Sequence, residues 1–180
     1  MRKFTQNEMQ NKKMSVESLK KLSRHSVVLV LDNLRSAHNV GAIFRTADSA
    51  LVEKIFLVGV TPCPPSAHID KTALGAADVV PWQHYEKIED VLEDLKKNGY
   101  TLVSLEQTDG SISYASEKVF LKKDFPIALV VGNEVDGVSQ YAIDKSDYSV
   151  DIPMYGRASS LNVSTATGIV VYEILRRLMV

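Results

Sequence analysis

Val27-Val28-Leu29-Val30-Leu31 is a short apolar run, rich in β-branched residues, that stops at the polar pair Asp32-Asn33. Runs of this kind are typical of strands that are buried on both faces of a sheet. Similar runs recur at 55–58, 100–103 and 127–131, and segments of helical period separate them. Strands that alternate with helices predict an α/β domain with a mostly parallel sheet and flanking helices.

The helical segments differ in how much of their surface is apolar. Between Ile88 and Lys97 the apolar residues share one face, as in a helix that covers a sheet. A shorter helix is expected from a cap at Ser15 through Ser23. The last segment, Leu161 to Met179, is apolar beyond one stripe, since Val171, Tyr172 and Leu175 lie off the side that carries Val163, Ala166, Ile169, Val170, Ile174 and Leu178. We therefore expect this helix to pack on the core and against a second surface.

Composition limits the classes of protein. A chain of 180 residues with 45% hydrophobic content can bury one core of ordinary size. No run reaches the roughly 18 apolar residues of a membrane span, and the start is polar, so we expect a soluble, cytoplasmic protein without a membrane contact. Cys63 is the only cysteine and the four histidines are scattered, so we expect neither a disulfide nor a metal site.

Charge is distributed unevenly along the chain. The net charge is −1, but residues 1–25 carry seven basic and two acidic residues. The basic ones are Arg2, Lys3, Lys12, Lys13, Lys20, Lys21 and Arg24. We interpret 1–25 as a basic, partly helical N-terminal extension and 26–180 as the folded domain. The extension could attract RNA electrostatically or be a solvated tail, and the sequence leaves both open.

The usual nucleotide-binding signatures are missing, because no G-x-G-x-x-G follows a strand and no phosphate loop occurs. A hydrolase or phosphotransferase is therefore disfavoured. Polar clusters instead follow three apolar strands. In the first, Asn39 is well placed to cap a helix whose second turn carries Arg45. The guanidinium of Arg45 suits a phosphate or a ribose oxygen, although a surface salt bridge is the alternative.

The second and third clusters adjoin glycines or a helix start. Gly132-Asn133-Glu134-Val135-Asp136-Gly137 closes a strand as a tight loop in which backbone groups can approach a ligand, and Ser139 starts the next helix. The third cluster, residues 152–164, joins a short strand to the last helix, which Ser160 or Asn162 could cap. Capping accounts for one of these residues and not for the whole cluster.

Together the clusters resemble the three motifs of the SpoU (TrmH-like) family of RNA 2′-O-ribose methyltransferases in the SPOUT superfamily. The matching residues are Asn33, Asn39, Gly41, Arg45, Ala47 and Asp48, then Gly132, Asn133, Glu134, Gly137 and Ser139, then Ile152 through Ser164. The segment 71–76 also resembles family sequence. The resemblance covers about residues 26 to 180 and implies S-adenosylmethionine as cofactor, a homodimer and a C-terminal trefoil knot, which periodicity cannot suggest.

The resemblance also implies roles for single residues. Cofactor binding falls on Leu105, Glu106, Gly132, Asn133, Glu134, Ile152, Met154 and Leu161, and catalysis on Arg45, Asn39, Glu134, Ser160 and Asn162. A guanidinium is a poor base at neutral pH, so we interpret Arg45 as a clamp on the RNA that stabilises the developing alkoxide. The expected substrate is a structured RNA, with tRNA favoured over rRNA. The alternative is a non-catalytic dimeric RNA-binding protein that retains the knot fold.

Overall fold

The computed structural model describes residues 1–5, 8 and 14–179. Within these residues the strands are β1 (His25–Asp32), β2 (Val52–Val58), β3 (Trp82–Tyr85), β4 (Thr101–Leu105), β5 (Ile112–Ser113), β6 (Ile127–Gly132) and β7 (Tyr148–Asp151). The helices are α1 (Val16–Lys20), α2 (Ala37–Ser49), α3 (Ala67–Ala73), α4 (Ile88–Lys97), α5 (Gln140–Lys145) and α6 (Val163–Met179). Short 3-10 turns lie at Ala76–Asp78 and Lys122–Asp124.

The strands form one sheet in the order β3-β2-β1-β6-β4-β7-β5, and all of the pairings between neighbouring strands are parallel. In the centre of the sheet Asp32 lies beside Gly132, and Leu105 lies beside Val131. The carboxyl ends of β1, β6 and β4 are therefore level at one edge. The prediction of an α/β domain with a parallel sheet and flanking helices is confirmed.

The two faces of the sheet carry separate helical layers. Val27, Leu29 and Leu31 of β1 are buried in the core that includes residues of α2, α3 and α6. Val28 and Val30 point to the other face, into a core built with α4 and α5. This alternation explains why β1 is apolar throughout, since both of its faces are covered.

Helix α2 packs unusually close to α3 at Gly41. A Cβ atom there would lie 2.1 Å from Thr72 Oγ1 and 2.3 Å from the Ile69 carbonyl oxygen, so no side chain fits. Thr72 Oγ1 also donates a hydrogen bond of 3.0 Å to the His38 carbonyl. The glycine of the first motif therefore sets the distance between two helices.

The four strands predicted from apolar runs are confirmed as β1, β2, β4 and β6, and the short strand before the last helix as β7. Sequence reasoning missed β3 and β5, which lie at the edges of the sheet, where a strand needs no long apolar run. The amphipathic helix at 88–97 is confirmed, and Ser15 caps α1, whose last residue is Lys20 instead of Ser23.

Two expectations about helices were wrong. Ser36 caps α2 by accepting from the Asn39 backbone nitrogen, so Asn39 lies inside the first turn and Arg45 in the third. On α6, Val171 and Leu175 are buried within the chain, because the helix sinks into the core between α2 and the sheet. Of the residues predicted to form a second surface, Tyr172 alone is exposed, at 52%.

Part of the basic N-terminal extension has a defined structural role. Arg24 donates hydrogen bonds of 3.0 Å and 2.8 Å to the carbonyl oxygens of Val52 and Val79. It therefore anchors the start of β1 and is not free for RNA. Lys12 and Lys13 lie outside the described residues. In the described part of the chain no helix has the length and hydropathy needed to cross a membrane.

Candidate active site

A cavity of about 540 Å³ opens at the carboxyl edge of the sheet, beside the ends of β4, β6 and β7. Every residue predicted to bind the cofactor lines it: Leu105, Glu106, Gly132, Asn133, Glu134, Ile152, Met154 and Leu161. Ser160 and Asn162, predicted for catalysis, line it as well. Its volume lies in the range of about 300–1,000 Å³ that is usual for small-molecule sites. Residues of the second and third motifs thus line the same cavity.

The wall contributed by β6 depends on two glycines. A Cβ atom on Gly132 would lie 1.9 to 2.1 Å from backbone atoms of Gly137 and Val138, so the chain after β6 folds back directly onto its own strand. Asn133 and Gly137 exchange two backbone hydrogen bonds of 3.1 Å, and Gly137 has a positive φ of 71°. The loop is therefore closed on itself and presents backbone groups to the cavity.

Glu106 supports this loop from the neighbouring strand. Its Oε2 accepts a hydrogen bond of 2.9 Å from the Val138 backbone nitrogen, and its Oε1 accepts from Gln107 at 2.8 Å. Gln107 in turn donates to the Ser159 carbonyl at 2.9 Å. Glu106 therefore has a structural role as well as lining the cavity, since it joins the loop after β4 to the loop after β6. Sequence reasoning did not identify Gln107, which links the third motif to this pair.

Three polar side chains form a continuous chain of hydrogen bonds across the site. Asn162 Nδ2 donates to Asn39 Oδ1 at 3.1 Å, and Asn39 Nδ2 donates to Glu134 Oε1 at 2.7 Å. Asn162 also caps α6, because its Oδ1 accepts from the Ser164 backbone nitrogen at 3.0 Å. The cap predicted for Ser160 or Asn162 is therefore Asn162. One residue from each motif takes part in this chain.

Glu134 is held as a carboxylate. Partial burial acts to raise its pKa, but the hydrogen bonds from the Asn39 amide and from backbone amides, including those of Arg35 and Ser36, outweigh it and lower the pKa below its ordinary value. An acidic group whose pKa is lowered is a weak base at neutral pH. The geometry therefore favours Glu134 as the acceptor that orients Asn39 over a role in removing a proton.

The polar pair Asp32-Asn33 at the end of β1 connects the ends of neighbouring strands. Asp32 is buried, and its Oδ2 accepts from the Ser139 backbone nitrogen at 2.9 Å, while its Oδ1 accepts from Asn33 at 2.9 Å. Asn33 adopts a positive φ of 53° and its Oδ1 accepts from Val60 at 3.3 Å. Asn33 of the first motif thus shapes the sheet edge and does not line the cavity.

Arg45 lies apart from the first cavity. With Ala42, Thr46, Ser49, Lys71, Thr72 and Tyr172 it lines a second cavity of about 400 Å³ between α2, α3 and α6. Its side chain is exposed, and no hydrogen bond or ion pair within the described residues involves its guanidinium group. A single chain therefore brings Asn39, Glu134, Ser160 and Asn162 together and leaves Arg45 on a neighbouring surface.

The arginines near the end of α6 differ from Arg45. Arg176 pairs with Glu173 at 2.7 Å, and Arg177 pairs with Glu173 and Glu117, both at 2.8 Å. Arg177 also donates to the carbonyl oxygens of Ala115 and Ser116. The guanidinium groups of Arg176 and Arg177 are thus already paired with acceptors of the chain. The described residues contain no group of three or more His, Cys, Asp or Glu side chains that could bind a metal ion.

Comparison with known sequences gives a family for most of the chain. The profile of the SpoU rRNA methylase family matches residues 26–172. A Staphylococcus epidermidis protein assigned to the TrmH family of tRNA/rRNA methyltransferases is 31% identical over 162 residues, which are 90% of this chain and 63% of that protein. The chain thus spans less than two thirds of the length of this relative.

Solved structures with the same fold include two at about this level of identity. The AdoMet-bound rRNA methyltransferase from Sinorhizobium meliloti is 31% identical with a TM-score of 0.78, over 89% of this chain and 60% of its own. The A. aeolicus TrmH/SpoU tRNA modifying enzyme is 30% identical with a TM-score of 0.79, over 91% and 82%. The SPOUT-type sheet with flanking helices is therefore confirmed, and the trefoil knot stays a prediction.

Proposed function

We propose that this chain, which belongs to the SpoU rRNA methylase family, transfers a methyl group from S-adenosylmethionine to the ribose 2′-hydroxyl of a structured RNA in the cytoplasm. One observation carries the proposal. The residues that resemble the second and third family motifs line one cavity, and the Asn39 amide of the first motif is hydrogen-bonded into its wall. The relatives named above, one of them bound to AdoMet, support the same chemistry.

The cavity fits the cofactor in size and in kind. Gly132 lets the loop through Gly137 pack directly against β6 at the cavity wall, and Leu105, Ile152 and Leu161 add apolar walls. A nucleoside can be held there by backbone groups and packing, without a glycine-rich phosphate fingerprint. When bound, S-adenosylmethionine supplies a methyl group on a positively charged sulfur atom.

The residues of this chain would then position the nucleophile. The 2′-hydroxyl must lie behind the methyl group, and its proton leaves to a neighbouring phosphate or to water as the new carbon–oxygen bond forms and the carbon–sulfur bond breaks. Arg45, whose guanidinium has no partner among the described residues, holds the RNA and stabilises the developing negative charge on the 2′-oxygen. Asn39, held by Glu134 and Asn162, keeps its amide in one orientation at the cavity.

A homodimer would unite the two surfaces. Because Arg45 lies outside the cavity of its own chain, we place it at the cavity of a twofold-related subunit. The exposed Tyr172 ring beside Arg45 supports a contact at this face, although Val171 and Leu175, once expected to contribute, are buried. Two complete sites would then straddle one interface.

Transfer of labelled methyl groups from S-adenosylmethionine to total tRNA and to rRNA, followed by mapping to a nucleotide, tests the function. We expect labelling of tRNA in preference to rRNA, at a 2′-oxygen. Labelling of a base would refute ribose specificity, and labelling of rRNA alone would refute the tRNA preference. Cofactor binding without transfer to either RNA would favour the non-catalytic RNA-binding alternative. A folded protein that binds neither S-adenosylmethionine nor its demethylated product would refute the methyltransferase itself.

A further inference from the structure

The second cavity has the composition of an anion site. Two cations, Arg45 from α2 and Lys71 from α3, line a space of about 400 Å³ together with the hydroxyl-bearing residues Thr46, Ser49 and Thr72. Among the residues that the structure describes, no carboxylate lines this cavity. Two positive charges and several donors on one concave surface suit a phosphodiester, whose two free oxygens share one negative charge.

The side chain of Lys71, like that of Arg45, is not held by a neighbouring group in the described part of the chain. Within the described part of the chain, neither side chain takes part in a hydrogen bond or ion pair, whereas Arg24, Arg176 and Arg177 are each held by carbonyl or carboxylate oxygens. Both free side chains are exposed. Like charges that line one cavity without a counter-ion raise its positive potential, and a bound anion would relieve their repulsion.

Close packing of α3 against α2 holds Lys71 near α2. The contact of Gly41 with Thr72 and Ile69 fixes the separation of the two helices, and the Thr72 hydroxyl donates to the His38 carbonyl at 3.0 Å. Leu74 then ends α3 in the left-handed conformation, with φ 52°. Lys71 therefore projects from a short helix whose position is fixed at the adjacent residue Thr72 and at Ile69.

We propose that Lys71 is a second RNA-binding residue, which holds with Arg45 a phosphate of the substrate next to the methylated ribose. This inference rests on the proposed function, since it names how the same site holds its RNA. Division of the phosphate contact between two cations leaves the Arg45 guanidinium able to face the 2′-oxygen. Lys71 then contributes affinity for RNA and contributes nothing to the affinity for the cofactor.

The test compares Lys71→Gln and Lys71→Arg with a matched control, Lys87→Gln, which alters an exposed lysine at the start of α4, outside both cavities. Binding of the full-length proteins to total tRNA is measured at several KCl concentrations, with the melting temperature and S-adenosylmethionine affinity of each variant. Loss of one phosphate contact should lower the slope of log Kd against log salt by about 0.7–0.9 and weaken binding roughly tenfold near 0.1 M salt. Lys71→Arg should restore both, and Lys87→Gln should match the wild type.

Three results would overturn the assignment. One is equal affinity and salt slope for Lys71→Gln and the wild type, while methyl transfer by the wild type shows that the proposed function stands. Another is weaker tRNA binding by Lys71→Gln with an unchanged salt slope and a lower melting temperature, which would mean that Lys71 stabilises the fold and does not contact RNA. The third is a wild type that binds no tRNA, in which case its affinity for S-adenosylmethionine decides the methyltransferase proposal separately.

Discussion

Replacement of Gly132 by alanine should disrupt the cofactor cavity more than any other single methyl group added to its wall. The new Cβ would lie 1.9 Å from the Gly137 carbonyl carbon and 2.0 Å from the Val138 nitrogen, where ordinary contacts begin at 3.4 Å. The loop must therefore move away from β6 by more than an ångström. That movement breaks the two hydrogen bonds of 3.1 Å between Asn133 and Gly137.

The expected loss of stability follows from these contacts. Overpacking of a close-packed site costs about 1–3 kcal/mol. Each neutral hydrogen bond contributes about 1 kcal/mol, so two of them bring the total to about 3–5 kcal/mol. Because the same loop lines the cavity, affinity for S-adenosylmethionine should fall together with the free energy of unfolding.

Urea titration measures the stability, and calorimetry at a temperature where the variant is folded measures cofactor affinity. Gly156→Ala is the matched control, since it adds the same methyl group in the loop that carries Met154 and Ser160, yet nothing lies within 4 Å of its Cβ. It should be close to neutral in both assays. A free energy of unfolding for Gly132→Ala within about 0.5 kcal/mol of the wild-type value, the usual range for neutral surface changes, would contradict this expectation.

Four further outcomes are expected. Arg45→Ala should abolish methyl transfer and leave S-adenosylmethionine affinity unchanged in calorimetry; a loss of both would mean that the arginine belongs to the cofactor site. Mixed dimers of Arg45→Ala and Leu161→Arg subunits should regain up to one working site per heterodimer, and no rescue despite proven subunit exchange would exclude a shared site. Deletion of residues 1–14 removes four basic residues and one acidic residue but keeps the anchored Arg24. The deletion should flatten the salt dependence of tRNA binding, and an unchanged slope would mean that this segment has no role in RNA binding. Hydrogen bonds lower the pKa of Glu134 below its ordinary value of 4.5, so the ionised carboxylate stabilises the fold above pH 4.5. The difference in unfolding free energy between the wild type and Glu134→Gln should therefore shrink as the pH falls below 4.5. A difference that does not change with pH in urea titrations would contradict this.

The sheet could be predicted because each central strand is covered on both faces and so carries a continuous apolar run, as Val27 to Leu31 does. Most of the cavity lining could be predicted from the motifs, since the carboxyl ends of neighbouring parallel strands meet at one edge. Single-sequence patterns do not distinguish which of two adjacent polar residues caps a helix, and Ser36 rather than Asn39 does so here.

The features that the sequence did not predict depend on contacts between residues distant in sequence. Nothing near Arg24 in the chain indicates that its guanidinium reaches the carbonyl oxygens of Val52 and Val79. The burial of Val171 and Leu175 depends on how deeply α6 packs between α2 and the sheet. The spacing of apolar residues along a helix does not determine that depth. The position of Lys71 beside Arg45 likewise follows from the packing at Gly41, a contact between residues of two different helices.

The hydrogen-bonded chain through Asn39 also has a use in sorting related sequences. Its middle member must offer a donor to Glu134 and an acceptor to Asn162 at the same time, and only an amide provides both from one short side chain. Aspartate would set a second negative charge against Glu134, and serine has a single oxygen for two directions. A relative that loses Asn39 leaves both Glu134 and Asn162 without this partner, and one that loses either end removes one of the two hydrogen bonds, so we expect these positions to vary as a set. The trio can thus be read from sequence alone as a signature of this site architecture.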